Sequence, residues 1–446
     1  IGEFDSISGK ATLHSCTQGG WLLKDQIANH TLKIEPGLVR VVTPDVGGGF
    51  GMKTFYYPEQ ALCLWSARKF GRPVKWVAER GESFLSDTMG RDHVTQVDMA
   101  FDSENQIVGM RVDTVANMGA YLSNFAPFIP TLAAIKVMPG VYDIKSLYAR
   151  VRGVFTHTVP VDAYRGAGRP ESIYMIERLM DKAAKELGVD RVQLRRKNFI
   201  SSKIMPFTTT ADEIYDSGDF DRVISMVTER ANWQSFGDRR AEAKNLGRRR
   251  GIGLCYYIES TMGDPGEAAE VRFEPDGTVS LLVGTQSNGQ GHETAYAQVA
   301  SDRLGVPIEE IHIVQGDTDL VATGGGTGGS RSLTAQATAI DAAADLVIER
   351  GKHYAAQGLE AAFADIEFED GTFKITGTDR HIAILDLAHQ ARAMDAPTDD
   401  IDGGLDARGA ITLPAWTFPN GCHVAEVEID PQTGVTSLES YTIVDD

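Results

Sequence analysis

Alternating apolar and polar residues, interrupted by a glycine turn, occur early in each half of the chain, at residues 3–14 and 271–281. Successive side chains of a strand point to opposite faces, so such alternation around a Gly, Asp or Asn turn is typical of a β-hairpin. The pattern therefore predicts a hairpin at each place. A third hairpin is predicted at 427–434 and a weaker one at 98–113.

The features that follow the first two hairpins repeat in the same order. A Thr-Gln pair comes next, with Gln18 nine residues after Gly9 and Gln286 nine residues after Gly277. A helix, a short strand and a glycine-rich loop complete each copy. The repetition predicts two similar α+β subdomains that face each other across a cleft.

Apolar residues at helical spacing predict the main helices. They lie at residues 59–70, 170–187, 295–304 and 334–357. Together with the hairpins they predict an α+β fold of two similar, elongated subdomains built from hairpins, mixed sheets and packed helices. The first subdomain is expected at 1–233 and the second at 251–446, joined by a polar, arginine-rich linker at 234–250.

The net charge of −19 at pH 7 narrows the partners that the chain can bind. Nucleic-acid phosphates require a basic surface, so no nucleic-acid partner is expected. No stretch approaches the roughly 18 to 20 consecutive apolar residues that cross a bilayer, so no membrane partner is expected either. The four cysteines form no Cys-x-x-Cys pair, which argues against zinc and iron–sulfur sites and suits a reducing compartment such as the cytoplasm.

Three familiar motifs fail when they are checked residue by residue. Residues 47–54 lack the Gly-Lys-Thr adjacency of a P-loop, and residues 292–296 carry Tyr where a zinc protease needs its second His. Residues 251–256 lack the third glycine of a dinucleotide fingerprint. These segments are therefore interpreted as turns rather than as the sites of those families.

Five glycine-dense loops remain, and each carries a glutamine or an arginine or lies beside one. They are residues 17–20, 47–51, 163–169, 284–292 and 324–332. Glycine lets backbone N–H groups approach an anion closely, and successive N–H groups form anion-binding nests. Any one of these loops alone is explained by a tight turn, but the set favours one extended ligand rich in phosphate and hydrogen-bonding edges.

Four of these segments also carry a resemblance. They are Val-Gly-Gly-Gly-Phe-Gly-Met-Lys at 46–53, Ala-Tyr-Arg-Gly-Ala-Gly-Arg at 163–169, Gly-Gln-Gly-His-Glu-Thr at 289–294 and Gly-Thr-Gly-Gly-Ser-Arg-Ser at 326–332. In this order they resemble the molybdenum hydroxylases of the xanthine oxidase family, especially the large subunit of aerobic carbon-monoxide-dehydrogenase-type proteins. That subunit is considerably longer. We therefore interpret the sequence, which begins without methionine, as a piece from its molybdenum-binding middle.

The resemblance implies that both subdomains bind molybdopterin, in the cytosine dinucleotide form, with molybdenum held through the pterin dithiolene and by no side chain. It places Gln18 at an oxygen ligand of molybdenum, Phe50 beside the metal and Arg165 at the pterin, and these three form the expected catalytic set. The cofactor-binding residues that it implies are Gln18, Gly48, Gly49, Phe50, Gly51, Arg165, Gly166, Ala167, Gln290, Gly291, His292, Thr327, Gly328, Gly329, Ser330 and Ser332.

The implied reaction is the hydroxylation of an aldehyde or (hetero)aromatic carbon of a small molecule with oxygen from water. Electrons would leave through a [2Fe–2S] subunit and an FAD subunit. Two departures from the family pattern qualify this expectation. The Gly-Val-Gly-Glu motif that supplies the family's base is absent from the 446 residues, and Gly166 stands where the carbon monoxide enzymes have the cysteine that binds copper. We therefore expect no copper and no carbon monoxide oxidation.

Two other functions stay open from the residues alone. The chain could be a catalytically silent fragment or assembly module of the same fold, for which the missing glutamate argues. It could also be a nucleotide- or phosphate-binding protein that uses its glycine loops without a pterin. Pterin content and bound cytidine monophosphate distinguish the three functions.

Overall fold

The structure is a computed structural model that describes residues 1–394 and 404–446. Its strands are, in chain order, β1 (Gly2–Phe4), β2 (Ala11–His14), β3 (Val39–Val42), β4 (His93–Phe101), β5 (Ile107–Asn117), β6 (Leu147–Val154), β7 (Phe207–Thr208), β8 (Ile214–Tyr215), β9 (Arg249–Ile258), β10 (Gly266–Phe273), β11 (Val279–Val283), β12 (Ile311–Val314), β13 (Ile366–Glu369), β14 (Thr372–Ile375), β15 (His381–Ala383), β16 (Ala407–Thr412), β17 (Asn420–Ile429) and β18 (Thr436–Asp445). Its α-helices are α1 (Gly20–Gln26), α2 (Pro58–Phe70), α3 (Arg80–Ser86), α4 (Arg169–Leu187), α5 (Arg191–Asn198), α6 (Phe220–Arg230), α7 (Phe236–Asn245), α8 (His292–Leu304), α9 (Ser332–Gly358) and α10 (Ile384–Ala391). These elements confirm the α+β class.

The chain forms two compact units, each made of two segments. The first unit comprises Ile1–Arg80 and Met262–Ala415, and the second comprises Gly81–Thr261 and Trp416–Asp446. No boundary of these units falls within the predicted linker at 234–250. The division into 1–233, 234–250 and 251–446 stays a prediction about the order of features along the sequence. Each compact unit, in contrast, combines one segment from the N-terminal half of the chain with one from the C-terminal half.

The first unit contains both copies of the predicted repeat. In one copy, β1 and β2 are antiparallel, α1 follows, and β3 returns parallel to β2. In the other copy, β10 and β11 are antiparallel, α8 follows, and β12 returns parallel to β11. A hairpin, a helix and a parallel strand in the same order confirm the repetition expected from the sequence.

The core of the first unit lies between the sheet β12-β11-β10-β16 and the helices α8 and α9. Helix α9 is rich in alanine on its buried side, which lets it lie directly on β16. At the contact, a Cβ atom added to Gly409 would collide with the backbone at Ala343. This glycine is therefore required by the close approach of strand and helix. A small antiparallel sheet, β13-β14-β15, packs against the same core.

The second unit is built on two three-stranded sheets, β4-β5-β6 and β18-β17-β9. Helix α4 packs against β9, β4 and α5. A fully buried Arg195 on α5 pairs with two carboxylates of α4, Glu177 at 3.0 Å and Asp181 at 2.9 Å. The predicted arginine-rich linker belongs to this unit as α7 and the start of β9. There Arg239 pairs with Glu426 at 2.7 Å and Arg250 with Glu428 at 3.0 Å.

The predicted local elements agree with the structure. The helices expected at 59–70, 170–187, 295–304 and 334–357 correspond to α2, α4, α8 and α9, with ends that differ by no more than three residues. The hairpins expected at 98–113 and 427–434 are β4–β5 and β17–β18. Over residues 1–394 and 404–446, no helix has both the length and the apolar character needed to cross a membrane.

Candidate functional site

Four of the five glycine-dense loops converge within the first unit. The backbone N–H of Thr327 donates to the carbonyl of Gln18 at 2.6 Å, and that of Gly48 donates to Asn288 at 3.0 Å. Loop 324–332, which follows β12, also contacts loop 284–292, which follows β11, because the backbone N–H of Gly326 donates to the carbonyl of Gly284 at 3.3 Å. Loops 17–20, 47–51, 284–292 and 324–332 thus form one connected cluster, hereafter the loop cluster.

Gln18 lies at the centre of the loop cluster with 5% of its surface exposed. Its Oε1 atom accepts backbone N–H groups from Gly51 at 2.8 Å and Lys53 at 3.2 Å, and its Nε2 atom donates to the carbonyl of Thr327 at 2.9 Å. These three bonds fix the amide orientation, because backbone N–H groups only donate and a carbonyl only accepts. One amide hydrogen on Nε2 is left to donate elsewhere.

Glycine is required next to Gln18 for steric reasons. A Cβ atom on Gly49 would lie 2.6 Å from the Gln18 side chain, and one on Gly326, which has φ +70°, would lie 2.6 Å from its carbonyl oxygen. Phe50 then adopts φ +55° and leaves 55% of its surface exposed. A left-handed, exposed phenylalanine is uncommon and is typical of backbone strain at functional sites.

Gln286 occupies in the second repeat the place of Gln18 in the first. It is 1% exposed, and its Nε2 atom donates to the carbonyl of Thr17 at 2.6 Å. Its Oε1 atom is buried without a hydrogen-bond partner. In the sequence, Gln286 is a marker of the repeat, and its offset from the hairpin turn, which equals that of Gln18, is the signal that could place it in the site.

Gln290 and His292 contact each other at the start of α8. Gln290 Oε1 accepts the backbone N–H of Asn288 at 2.5 Å, and Gln290 Nε2 lies 2.9 Å from His292 Nε2. His292 is 6% exposed, and its burial lowers the pKa of the imidazole to about 4. The imidazole is therefore neutral at pH 7. Gly291 takes φ +82° between the two side chains and precedes the first helical residue.

The loop 324–332 is held by a buried arginine that the sequence analysis did not select. Arg331 is 1% exposed; its guanidinium donates to Glu267 at 2.9 Å and to the carbonyls of Asp264, Gly266 and Gly326 at 2.7, 2.7 and 2.9 Å. The planar, five-donor guanidinium suits this arrangement, which an ammonium could not reproduce.

Hydroxyl hydrogen bonds hold two further predicted residues of this loop, Thr327 and Ser332. Thr327 Oγ1 donates to the carbonyl of Gln286 at 2.7 Å, and Ser332 Oγ donates to Thr327 Oγ1 at 3.2 Å. Gly329 and Ser330 follow one another in the left-handed region, with φ +69° and +60°. Gly328 has open space beside its Cα atom.

The fifth loop, 163–169, lies in the second unit. Arg165 is exposed, and its carbonyl accepts a hydrogen bond from Arg91, whose guanidinium also stacks 5.0 Å from the centre of the Tyr164 ring. The backbone is left-handed at Gly166, Ala167 and Gly168, with φ +92°, +42° and +90°. A Cβ atom on Gly166 would collide with the ring of Pro170.

An ion pair between a buried arginine and a partly exposed glutamate follows this loop at the start of α4. Arg169 is 3% exposed and donates to Glu259 through Nε at 2.9 Å and Nη2 at 2.6 Å. The carboxylate of Glu171 caps the turn by accepting the backbone N–H of Gly168 at 3.1 Å. Asp162 precedes the loop, and burial raises the pKa of its carboxyl group.

The predicted residues thus divide between the units. Gln18, Gly48, Gly49, Phe50, Gly51, Gln290, Gly291, His292, Thr327, Gly328, Gly329, Ser330 and Ser332 lie in the loop cluster of the first unit, and Arg165, Gly166 and Ala167 lie in the second. Residues that the sequence analysis missed are Gln286, Asn288, Glu267 and Arg331 in the first unit and Arg91 in the second. Apart from Gln286, which its offset from the hairpin turn marks, their roles depend on contacts between residues distant in the sequence, which no local motif encodes.

The loop cluster carries unpartnered buried atoms that suit a ligand with many hydrogen-bonding groups. They are Gln286 Oε1, Asn288 Oδ1 and His292 Nδ1, all from the loop 284–292. Buried polar groups are almost always paired in folded proteins, so three unpaired atoms in one loop indicate a missing partner. Among the described residues, no group of three or more His, Cys, Asp or Glu side chains could hold a metal ion.

Comparisons with known proteins identify the kind of domain that the chain contains. Two family profiles, each described as a molybdopterin cofactor-binding domain, match residues 1–199 and 226–446. The carbon monoxide dehydrogenase large chain of Hydrogenophaga pseudoflava is 32% identical over 100% of this chain and 57% of its own length. The nicotine 6-hydroxylase large subunit of Paenarthrobacter nicotinovorans is 31% identical over 91% of this chain and 52% of its own length.

Solved structures extend the similarity to the fold. Quinoline 2-oxidoreductase from Pseudomonas putida 86 superposes with a TM-score of 0.94 at 31% identity, covering 100% of this chain and 58% of that one. Carbon monoxide dehydrogenase from Oligotropha carboxidovorans superposes with a TM-score of 0.91 at 28% identity, covering 100% and 57%. The chain therefore spans somewhat more than half the length of these relatives.

Proposed function

Because the chain belongs to the xanthine oxidase family of molybdenum hydroxylases, of which it carries the molybdopterin cofactor-binding domains, we propose that it holds the molybdenum cofactor in the large subunit of an oxidoreductase. The reaction proposed is the hydroxylation of an aldehyde or (hetero)aromatic carbon with oxygen from water. When bound, the cofactor supplies the metal that activates water and accepts the electrons.

The chain's own contribution near the metal is one oriented neutral donor, the side-chain amide of Gln18. Gln18 is fixed by Gly51, Lys53 and Thr327, and its free amide hydrogen is available to an oxygen near the metal. A donor that is oriented before reaction costs no reorganisation when negative charge develops, which makes it effective in a buried site. A neutral amide also avoids the full charge that a lysine or arginine would bring.

The loop 284–292 would hold the organic part of the cofactor. Its two unpartnered acceptors, Gln286 Oε1 and Asn288 Oδ1, can accept N–H or O–H groups of a pterin, which is rich in both. Phe50, 55% exposed, offers an apolar ring that lies against Gly48 in the same loop cluster. These acceptors fit molybdopterin, with its several N–H donors, better than they fit a fully ionised phosphate group, whose oxygens only accept.

Membership of this family also supports proposals about the form of the cofactor, the cellular location and the partner subunits. We propose the cytosine dinucleotide form of the pterin, a cytoplasmic location, and assembly with a [2Fe–2S] subunit and an FAD subunit. Relatives named as a large chain, a large subunit and a complex subunit gamma support a multisubunit enzyme. Arg165, with Gly166 and Ala167 beside it, is proposed to contact the pterin.

We further propose that the site binds no copper. Gly166 offers no thiolate, and a Cβ atom there would collide with the ring of Pro170. A cysteine at this position would therefore need a different backbone, and copper(I) prefers soft thiolate ligands.

The observation that supports the proposal most strongly is the fixed amide of Gln18 within the loop cluster. The test is to purify the full 446-residue chain from bacteria that make the cofactor and to measure molybdenum, pterin fluorescence, released cytidine monophosphate and copper. We expect molybdenum, pterin and cytidine monophosphate in equal amounts and no copper. Cytidine monophosphate without pterin would indicate a nucleotide-binding protein. The absence of molybdenum, pterin and cytidine monophosphate would indicate a catalytically silent module. Copper in a stoichiometric amount would refute the proposal that the site binds no copper.

A further inference from the structure

The orientation of the Gln290 amide is determined by the backbone. The N–H of Asn288 donates to one end of the amide at 2.5 Å, and a backbone N–H has no acceptor character. That end must be the oxygen, so the other end is the NH₂ group. The NH₂ group is the one that faces His292, at 2.9 Å from Nε2.

This contact determines where His292 carries its proton. An amide NH₂ group donates and does not accept, so His292 Nε2 must be the acceptor and must be unprotonated. In a neutral imidazole the single proton then resides on Nδ1. The positively charged form would place two donors against each other. Burial, which lowers the pKa of His292 to about 4, independently favours the neutral form.

The protonated nitrogen is a buried donor with no partner. His292 Nδ1 has no hydrogen-bond partner in the described structure, and the residue is 6% exposed. His292 is also the first residue of α8, a 13-residue helix whose N-terminus has no side-chain cap. The free N–H groups and the dipole at a helix N-terminus favour an anion. The only acidic residue of that first turn, Glu293, accepts a hydrogen bond from Gln315 at 2.7 Å.

We propose that Gln290 locks His292 in the Nδ1–H tautomer and that this N–H donates to a phosphate oxygen of the bound cofactor. Gln290 is in this respect a positioning residue, because it acts on the ligand through His292. The proposal rests on the proposed function for the identity of the phosphate, although the tautomer itself follows from the contacts of the chain alone.

Two pairs of variants test the two halves of the proposal. In His292→Asn the amide nitrogen reproduces the position of Nδ1, whereas in His292→Gln it reproduces the position of Nε2. In Gln290→Glu a carboxylate replaces the NH₂ group that faces Nε2, which should draw the ring proton to Nε2. Gln290→Met removes the donor and imposes neither tautomer.

The first measurement is the ¹⁵N NMR spectrum of the full chain labelled in its histidine rings. We expect the Nδ1–H tautomer for wild-type His292 and the Nε2–H tautomer in Gln290→Glu. An Nε2–H tautomer or a charged ring in the wild type at pH 7 would refute the lock. This spectrum needs no cofactor, so it stands even if the proposed function fails.

The second measurement is the affinity of the cofactor-free chain for inorganic pyrophosphate, together with the molybdenum and pterin content of the loaded chain. We expect His292→Asn to stay within about threefold of the wild type and His292→Gln and Gln290→Glu to lose about tenfold or more, as expected for a lost hydrogen bond to a charged group. Equal affinities of His292→Asn and His292→Gln would refute donation to phosphate. An absence of molybdenum and pterin from the wild type would instead refute the proposed function.

Discussion

Gln18 and Gln286 hold the two repeats of the first unit together by reciprocal amide hydrogen bonds. Gln18 Nε2 donates to the carbonyl of Thr327, which follows the second repeat's last strand, and Gln286 Nε2 donates to the carbonyl of Thr17, which follows the first repeat's hairpin. Each glutamine thus stabilises a loop of the other repeat. The loop cluster is consequently a property of the paired repeats rather than of either one.

Gln286→Glu should destabilise the first unit. The substitution replaces a donor with a carboxylate oxygen only 2.6 Å from the Thr17 carbonyl, so two acceptors face each other in a buried site. We expect a loss of about 1–3 kcal/mol in the free energy of unfolding, measured by urea titration at pH 7. Gln193→Glu, at an exposed position of α5, is the control and should change it by less than about 0.5 kcal/mol. Equal stabilities of the two variants would contradict the role of Gln286.

Gly49→Ala should displace Gln18 without removing any of its atoms. The new methyl group would lie 2.6 Å from the Gln18 side chain, which three hydrogen bonds hold in place. We expect a destabilisation of about 1–3 kcal/mol, as for other overpacked sites, and a lower molybdenum and pterin content per chain. Gly47→Ala is the matched control, because Gly47 is exposed with no atom within 4 Å of its added Cβ. Retention of full cofactor content by Gly49→Ala would contradict the proposed role of Gln18.

Local features of the fold could be predicted from the sequence because they depend on short-range chemistry. Hairpins and helices are encoded by side-chain alternation, helical spacing and turn glycines, so α2, α4, α8 and α9 lie where the pattern places them. Which segments of the chain combine to form each compact unit could not be predicted in this way. It depends on pairings such as that of β9 with β17, in which Ile258 lies opposite Asn420, far away in the sequence.

In the candidate site, too, the local motifs could be predicted from the sequence, whereas the long-range contacts could not. Gln18 and the glycine loops belong to recognisable motifs, and the structure brings four of the five loops together. Arg331 lies inside one of these motifs, yet nothing local indicates that its partner is Glu267, on β10. The need for glycine at position 49 likewise depends on a side chain 31 residues earlier, which only the folded chain brings into contact.

Arg331→Met should be among the most destabilising single substitutions in the first unit. It leaves the carboxylate of Glu267, itself 5% exposed, without its cation in a buried site. Breaking a buried pair by removing one partner costs about 3–5 kcal/mol, whereas an exposed pair contributes about 1 kcal/mol or less. Arg303→Met, which removes the exposed ion pairs of Arg303 on α8 with Asp341 and Asp345 on α9, is the control. Similar midpoints of thermal unfolding for the two variants would show that the Arg331 pair does not hold the loop.

His292 should make the stability of the chain depend on pH below neutrality. Its pKa is lowered from 6.5 to about 4 by burial, so the unfolded chain takes up a proton before the folded chain does. The contribution of the neutral ring is therefore fully present above pH 6.5 and is lost as the pH falls toward 4. Between pH 7 and pH 5 the loss is about 2 kcal/mol, since each pH unit well below 6.5 costs about 1.36 kcal/mol.

The measurement that isolates this contribution is the difference in unfolding free energy between pH 7 and pH 5, taken for the wild type and for His292→Asn. Other titrating groups contribute equally to both proteins and cancel in the comparison, so the variant should lose about 2 kcal/mol less than the wild type. His157→Asn removes an exposed imidazole instead and should keep the wild-type difference. If His292→Asn showed the same difference in unfolding free energy as the wild type, the ring would be protonated in the folded chain at pH 5. That result would contradict the conclusion that His292 is buried as a neutral donor in the loop cluster.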